Sequence, residues 1–313
     1  MENRKEFTFP SADGRTAIHA VEWHPEREPA GVLQIAHGVA EYALRYEPFA
    51  RFLNAHGFLV VANDHLGHGE SVAEGAPRLY FGEKGSWQHV VDDMYTLRCR
   101  TGEAYPELPY FIMGHSMGSF LTRTYLIRYP GTVKGAILMG TGQNPDAMLV
   151  GGKALASVLA RKAGRENASD VVEKLAFGAY NKAFAPNRTG YDWLSVSEEN
   201  VDAYIADPLC GGMASTGLFL ELLGGMAFHL LWETNPLYSI GFTYLCLMLL
   251  ADGVAEFTEA LPDYTVSDRL WITPAAGTVL LALLLVFAKK ELVDTPIEAY
   301  DYAIDQYQYA GGY

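Results

Sequence analysis

Apolar and polar residues alternate near the start of the chain, first at Phe7-Thr-Phe9 and then through Ala17-Ile-His-Ala-Val-Glu-Trp23, with Ala12-Asp13-Gly14 between them. Alternation on both sides of a short glycine turn predicts an antiparallel hairpin of edge strands. Two short apolar runs follow, Val32-Leu-Gln-Ile-Ala36 ending at His37-Gly38, and Phe58-Leu-Val-Val-Ala62 ending at Asn63-Asp64-His65. Such runs predict parallel strands buried on both faces. Between them Tyr46, Phe49, Ala50, Phe52 and Leu53 recur at helical spacing and Gly57 stops the helix, which completes a β-α-β unit.

The alternation of strand and helix continues. Val90, Met94 and Leu97 mark a helical face within 87–105, and Pro109-Tyr-Phe-Ile-Met113 predicts a strand. A helix is expected from Met117 to Arg128, stopped by Tyr129-Pro130-Gly131, and a strand from Val133 to Met139. These predict an α/β fold, a mostly parallel sheet with helices on both faces. From 144 to 225 the pattern changes to short helical runs, among them Gly152 to Ala163 and Asp170 to Phe177, broken at Pro186-Asn187-Arg188 and Asp207-Pro208. That stretch predicts a helical cap laid over the sheet. The expected organisation is therefore residues 1–143 as the first part of the core, 144–225 as the cap, and 226–313 as an atypical C-terminal segment.

Composition narrows the functional classes. The 313 residues, 50% of them hydrophobic and 19% charged, suffice for one α/β domain with an insertion or for two small domains. With 23 basic against 37 acidic residues the net charge is −14, which disfavours nucleic acid as a partner. Cys99, Cys210 and Cys246 form no Cys-x-x-Cys pair, and Met1 to Pro10 carries charges where an export signal needs an apolar run. A cytoplasmic, reducing setting is expected.

The candidate chemistry sits at Gly114-His115-Ser116-Met117-Gly118. Gly-x-Ser-x-Gly between a strand and a helix puts the serine on a strained turn that only flanking glycines permit. The Met117 amide, at the helix N-terminus, is placed to donate to an oxyanion, and Val39, after the His37-Gly38 strand end, is the candidate second donor. Asp64-His65-Leu-Gly-His68-Gly-Glu70-Ser71 offers two histidines and two carboxylates, but its spacing fits no zinc pattern and a tight glycine loop accounts for it. No metal is expected.

His37-Gly-Val-Ala-Glu41 with Arg45-Tyr46, Asp64-His-Leu-Gly-His-Gly69 and Gly114-His-Ser-Met-Gly118 together resemble the monoacylglycerol lipase and lysophospholipase branch of the α/β-hydrolases, which is often grouped with serine aminopeptidases. Tyr191-Asp-Trp-Leu-Ser195 and Val201-Asp-Ala-Tyr-Ile-Ala-Asp-Pro-Leu-Cys210 are similar to the cap of bacterial members. The resemblance runs from about residue 5 to 227. It implies Ser116 as nucleophile, Val39 and Met117 as the oxyanion hole, a cap walling an acyl-chain pocket, a small acyl ester as substrate, and no metal or organic cofactor. An aminopeptidase-type hydrolase shares these motifs.

After Ala227 the resemblance stops, because neither a Gly-x-x-Asp-Pro acid loop nor a Gly-x-x-His loop is present. The last histidine is His229, a candidate base or else a cap or core residue. Asp252 follows an apolar run, either as the acid of a strand-end loop or as part of an Asp-Gly turn. Two further apolar runs, 236–251 and 272–288, read either as buried strands and helices or as a short membrane hairpin with Lys289-Lys290 on the cytoplasmic side. A third alternative is a tail foreign to the fold. The missing histidine motivates a rival of another class, a catalytically silent hydrolase-fold protein that binds an acyl ligand.

Overall fold

β1 (Arg4–Pro10) and β2 (Ala17–Trp23) pair antiparallel around a turn closed by Ser11 N–H to the Thr16 carbonyl at 2.9 Å. Their geometry comes from a computed structural model, which describes residues 3–142 and 146–233. β3 (Gly31–Ala36), β4 (Phe58–Asn63), β5 (Tyr110–His115) and β6 (Gly135–Met139) complete a six-stranded sheet in the order β1-β2-β4-β3-β5-β6. The last four run parallel, and β2 joins β4 antiparallel. The expected α/β architecture is present.

One expectation needs correction: β2 is not an edge strand, for Ala20 to Trp23 pair with β4 and only β1 is left at that margin. His19, the polar residue within β2, is buried, with Nδ1 on Asp64 at 2.9 Å and Nε2 on Glu6 at 3.0 Å, so its polarity is satisfied inside the fold.

Strand pleating sends alternate residues to opposite faces, and two clusters result. Val32, Leu59, Val61 and Ile112 pack with Met94 and Leu97 of α2 (Ser86–Ala104) and Leu121 and Tyr125 of α3 (Met117–Arg128). Leu33, Ile35, Val60 and Met113 take the other face with Ala50 and Leu53 of α1 (Glu47–Ala55). Gln34 is the polar exception in β3. Its amide donates to the Met94 carbonyl at 3.0 Å and accepts from Tyr110 OH at 2.7 Å, which removes the penalty of burial.

Beyond β6 the described chain is helical: α4 (Asp146–Ala163), α5 (Asp170–Ala176), α6 (Glu198–Ala206) and α7 (Thr216–Glu233), with single 3-10 turns at Tyr180–Phe184 and Asp192–Leu194. α7 runs unbroken through residue 225, where the sequence pattern suggested an end to the cap. Glu221 on α7 is buried and accepts from the Gly85 and Trp87 amides while pairing with Arg165 at 2.7 Å. A carboxylate thus meets the positive N-terminus of α2, the favourable end for it. Among the described residues no helix is long and apolar enough to cross a membrane.

Candidate active site

β5 ends at His115 and α3 begins at Met117, so Ser116 is the whole of the turn between strand and helix. It adopts φ +52° and ψ −117°, a conformation that costs a non-glycine residue about 1–3 kcal/mol. The turn is held on two sides, by Ser116 N–H to the Met139 carbonyl of β6 at 2.9 Å and by the Ser116 carbonyl, which accepts from Ser119 Oγ at 2.6 Å.

The flanking glycines are there for space. A Cβ on Gly114 would stand 2.3 Å from the Gly118 carbonyl oxygen, and one on Gly118 would stand 2.0 Å from that of Ala36. Any side chain would push α3 off the end of β3. Gly38 faces the serine in turn, since a Cβ there would lie 3.3 Å from Ser116 Cβ and 2.6 Å from Glu41 Oε1.

Glu41 organises the loop after β3. Its Oε1 accepts from Gly38 N–H at 2.6 Å, Tyr46 OH at 2.9 Å and His115 Nδ1 at 2.9 Å, and its Oε2 pairs with Arg45 at 2.9 Å. Burial alone would raise this carboxyl; the His115 hydrogen bond and the neighbouring positive charge outweigh it and hold the pKa at about 2. One anion therefore ties the His37-Gly38 turn to the residue beside Ser116. The sequence marks His115, with His37, Gly38, Gly114 and Gly118, as supporting the serine motif, and assigns Glu41 no role. The spacing of Glu41 to Arg45, four residues apart, was the available signal.

His37, His65 and His68 serve the scaffold. His37 Nδ1 donates to the Gly38 carbonyl at 2.7 Å and Nε2 accepts from His65 N–H at 2.9 Å, so both nitrogens are occupied. Burial drives its pKa well below the ordinary imidazole value. His65 and His68 are fully buried beside it, and desolvation lowers them to about 3 and about 4. Asp64 spends its carboxylate on His19, Ala43 N–H at 2.8 Å and Glu70 N–H at 2.9 Å. Among the described residues no three His, Cys, Asp or Glu side chains converge as metal ligands.

Val39 and Met117 flank the serine from the two loops, and among the described residues neither amide N–H has an acceptor. Nor does any described group hydrogen-bond the Ser116 hydroxyl. His229 falls on α7, but its side chain lies outside the described residues, as do Asp252 and the runs 236–251 and 272–288.

A parallel sheet entering a strained serine turn that leads straight into a helix defines the class: an α/β-hydrolase of the serine type. Within that class the chain belongs to the hydrolase family described as serine aminopeptidase, S33, which matches residues 27–234. It is 33% identical over 222 residues to a monoacylglycerol lipase of Mycolicibacterium smegmatis, covering 71% of each chain. To the human monoglyceride lipase it is 30% identical over 194 residues, 60% of this chain and 54% of that one. A thermostable carboxyl esterase from Bacillus coagulans, solved with glycerol, superposes with a TM-score of 0.65 at 27% identity, over 72% of this chain and 73% of that one. By these relatives the chain sorts with the serine ester hydrolases.

Proposed function

We propose that the protein hydrolyses acyl esters of glycerol or of lysophospholipids through an acyl-enzyme on Ser116, with the amides of Val39 and Met117 as the oxyanion hole. The observation that carries this reading is the serine at φ +52° flanked by the Val39 and Met117 amides, which have no acceptor among the described residues. Ser116 Oγ attacks the ester carbonyl carbon, its proton passes to a base, and the alcohol leaves; water then releases the acid from the acyl-enzyme. Both tetrahedral species place negative charge where preorganised N–H donors act most strongly. The lipase relatives support the substrate class. The two described cysteines, Cys99 and Cys210, are free, which suits a cytoplasmic setting.

The test is hydrolysis of a monoacylglycerol, a lysophospholipid and an aminoacyl amide by the purified full chain, beside Ser116→Ala. Ester cleavage lost in the variant is expected; preference for the amide would move the protein to the aminopeptidase side of its family.

A second reading has its own observation. Among the described residues no histidine hydrogen-bonds the Ser116 hydroxyl; near it, His37 has both nitrogens occupied, His65 and His68 are buried, and His115 Nδ1 is taken by Glu41. With no described group on the Ser116 hydroxyl, two alternatives remain: His229 as the base with Asp252 as its acid, or a silent acyl-binding fold. Unchanged turnover in His229→Gln removes His229 from the mechanism.

A further inference from the structure

The peptide next to the proposed oxyanion donor is bent where an alanine resists bending. Ala40 has φ +56°, and its carbonyl accepts two hydrogen bonds from the cap, from Gly211 N–H at 2.9 Å and from Tyr204 OH at 3.0 Å. Tyr204 lies on α6 and is 6% exposed. Its ring is covered by the Arg45 guanidinium, 4.8 Å from the ring centre, and Arg45 pairs in turn with Glu41.

The four residues 38–41 are therefore gripped from two directions. Glu41 holds the Gly38 N–H from within the core, and Tyr204 with Gly211 holds the Ala40 C=O from the cap. Val39 N–H lies between these anchors. Without the outer anchor no hydrogen bond among the described residues holds the left-handed Ala40, and the Val39 peptide is free to turn as that residue relaxes.

We propose that Tyr204 is a positioning residue for the oxyanion hole: its hydroxyl, acting on the Ala40 carbonyl, aims the Val39 N–H, so that docking of α6 and catalytic competence are coupled. The inference rests on the hydrolase reading above. An oxyanion donor contributes more to the transition state than to the bound ester, so its misalignment lowers kcat while leaving KM nearly unchanged.

Tyr204→Phe keeps the buried ring and its contact with Arg45 and removes only the hydroxyl. The control is Tyr42→Phe, which removes a different tie to the cap segment, Tyr42 OH to Asp207 at 2.9 Å, without touching Ala40. The measurements are kcat and KM on a soluble p-nitrophenyl ester, the rate of labelling by a fluorophosphonate, and the melting temperature of each full-length protein. Tyr204→Phe is expected to melt close to wild type and to lose about tenfold or more in both kcat and labelling rate. KM should be little changed, and Tyr42→Phe should stay near wild type. Wild-type rates in Tyr204→Phe overturn the proposal, and so do equal losses in both variants, which would make the effect one of cap attachment. A folded wild-type protein that neither turns over nor labels overturns the hydrolase reading first, and the positioning role with it.

Discussion

Gly118 meets Ala36 backbone to backbone: a methyl group at Gly118 would stand 2.0 Å from the Ala36 carbonyl oxygen. The first turn of α3 thus rests on the end of β3, which sets the serine loop against the loop of Gly38. Backbone cannot yield as a flexible side chain can, so Gly118→Ala is expected to cost about 3 kcal/mol or more. Gly190, with nothing within 4 Å of an added Cβ, should tolerate alanine within about 0.5 kcal/mol. Urea midpoints of the two variants check this; similar midpoints would contradict it.

Strain at Ser116 makes a prediction with the opposite sign. Ser116→Gly relieves φ +52°, whereas Ser116→Ala keeps it. The glycine variant should therefore be more stable than the alanine variant by about 1 kcal/mol, even after the entropy cost of an extra glycine. Equal thermal midpoints would mean that the turn stores no strain.

Those two positions show how much of the molecule could be read from the chain. Runs such as Val32 to Ala36 and the spacing Tyr46, Phe49, Ala50, Leu53 carried the order of strands and helices, since burial on a period of two or 3.6 leaves a local signature. That β2 lies inside the sheet was not legible, because its pairing with β4, Ala20 opposite Asn63, leaves no local pattern in the chain. The Ser116 turn was legible because two glycines at fixed spacing express a backbone clash. The contacts of Ala40 with Tyr204 and Gly211 were not, for they join the cap to the core through a carbonyl that every residue possesses.

Acid sensitivity follows from the buried imidazoles. Unfolded histidine binds a proton near pH 6.5, while folded His65 and His68 resist until about 3 and about 4, so the unfolded state holds more protons across that window. Their contribution to stability falls as pH drops from about 6.5. Glu41, lowered to about 2 from 4.5, adds a loss in the same direction below pH 4.5. His19 opposes these: raised chiefly by its hydrogen bond to Asp64, it stabilises at low pH and loses that contribution as pH rises through its folded value. His65→Phe removes one term, and should reduce the slope of stability against pH between 6 and 4 by about 1.4 kcal/mol per pH unit. An unchanged slope in pH-dependent urea titrations would contradict the assignment.

Glu221 gives a prediction away from the site. Glu221→Ala leaves the Gly85 and Trp87 amides and the Arg165 guanidinium without this carboxylate, at a cost of about 2 kcal/mol. Urea unfolding of the variant is the check; a change under about 0.5 kcal/mol would show that α7 does not hold the start of α2.

The most direct test of the central claim is reaction of the folded full-length protein with a fluorophosphonate at neutral pH, beside Ser116→Ala. The account predicts covalent labelling of the wild-type chain, on the peptide containing Ser116, and none in the variant. A folded wild-type protein that stays unlabelled, or labelling that survives Ser116→Ala, would contradict it.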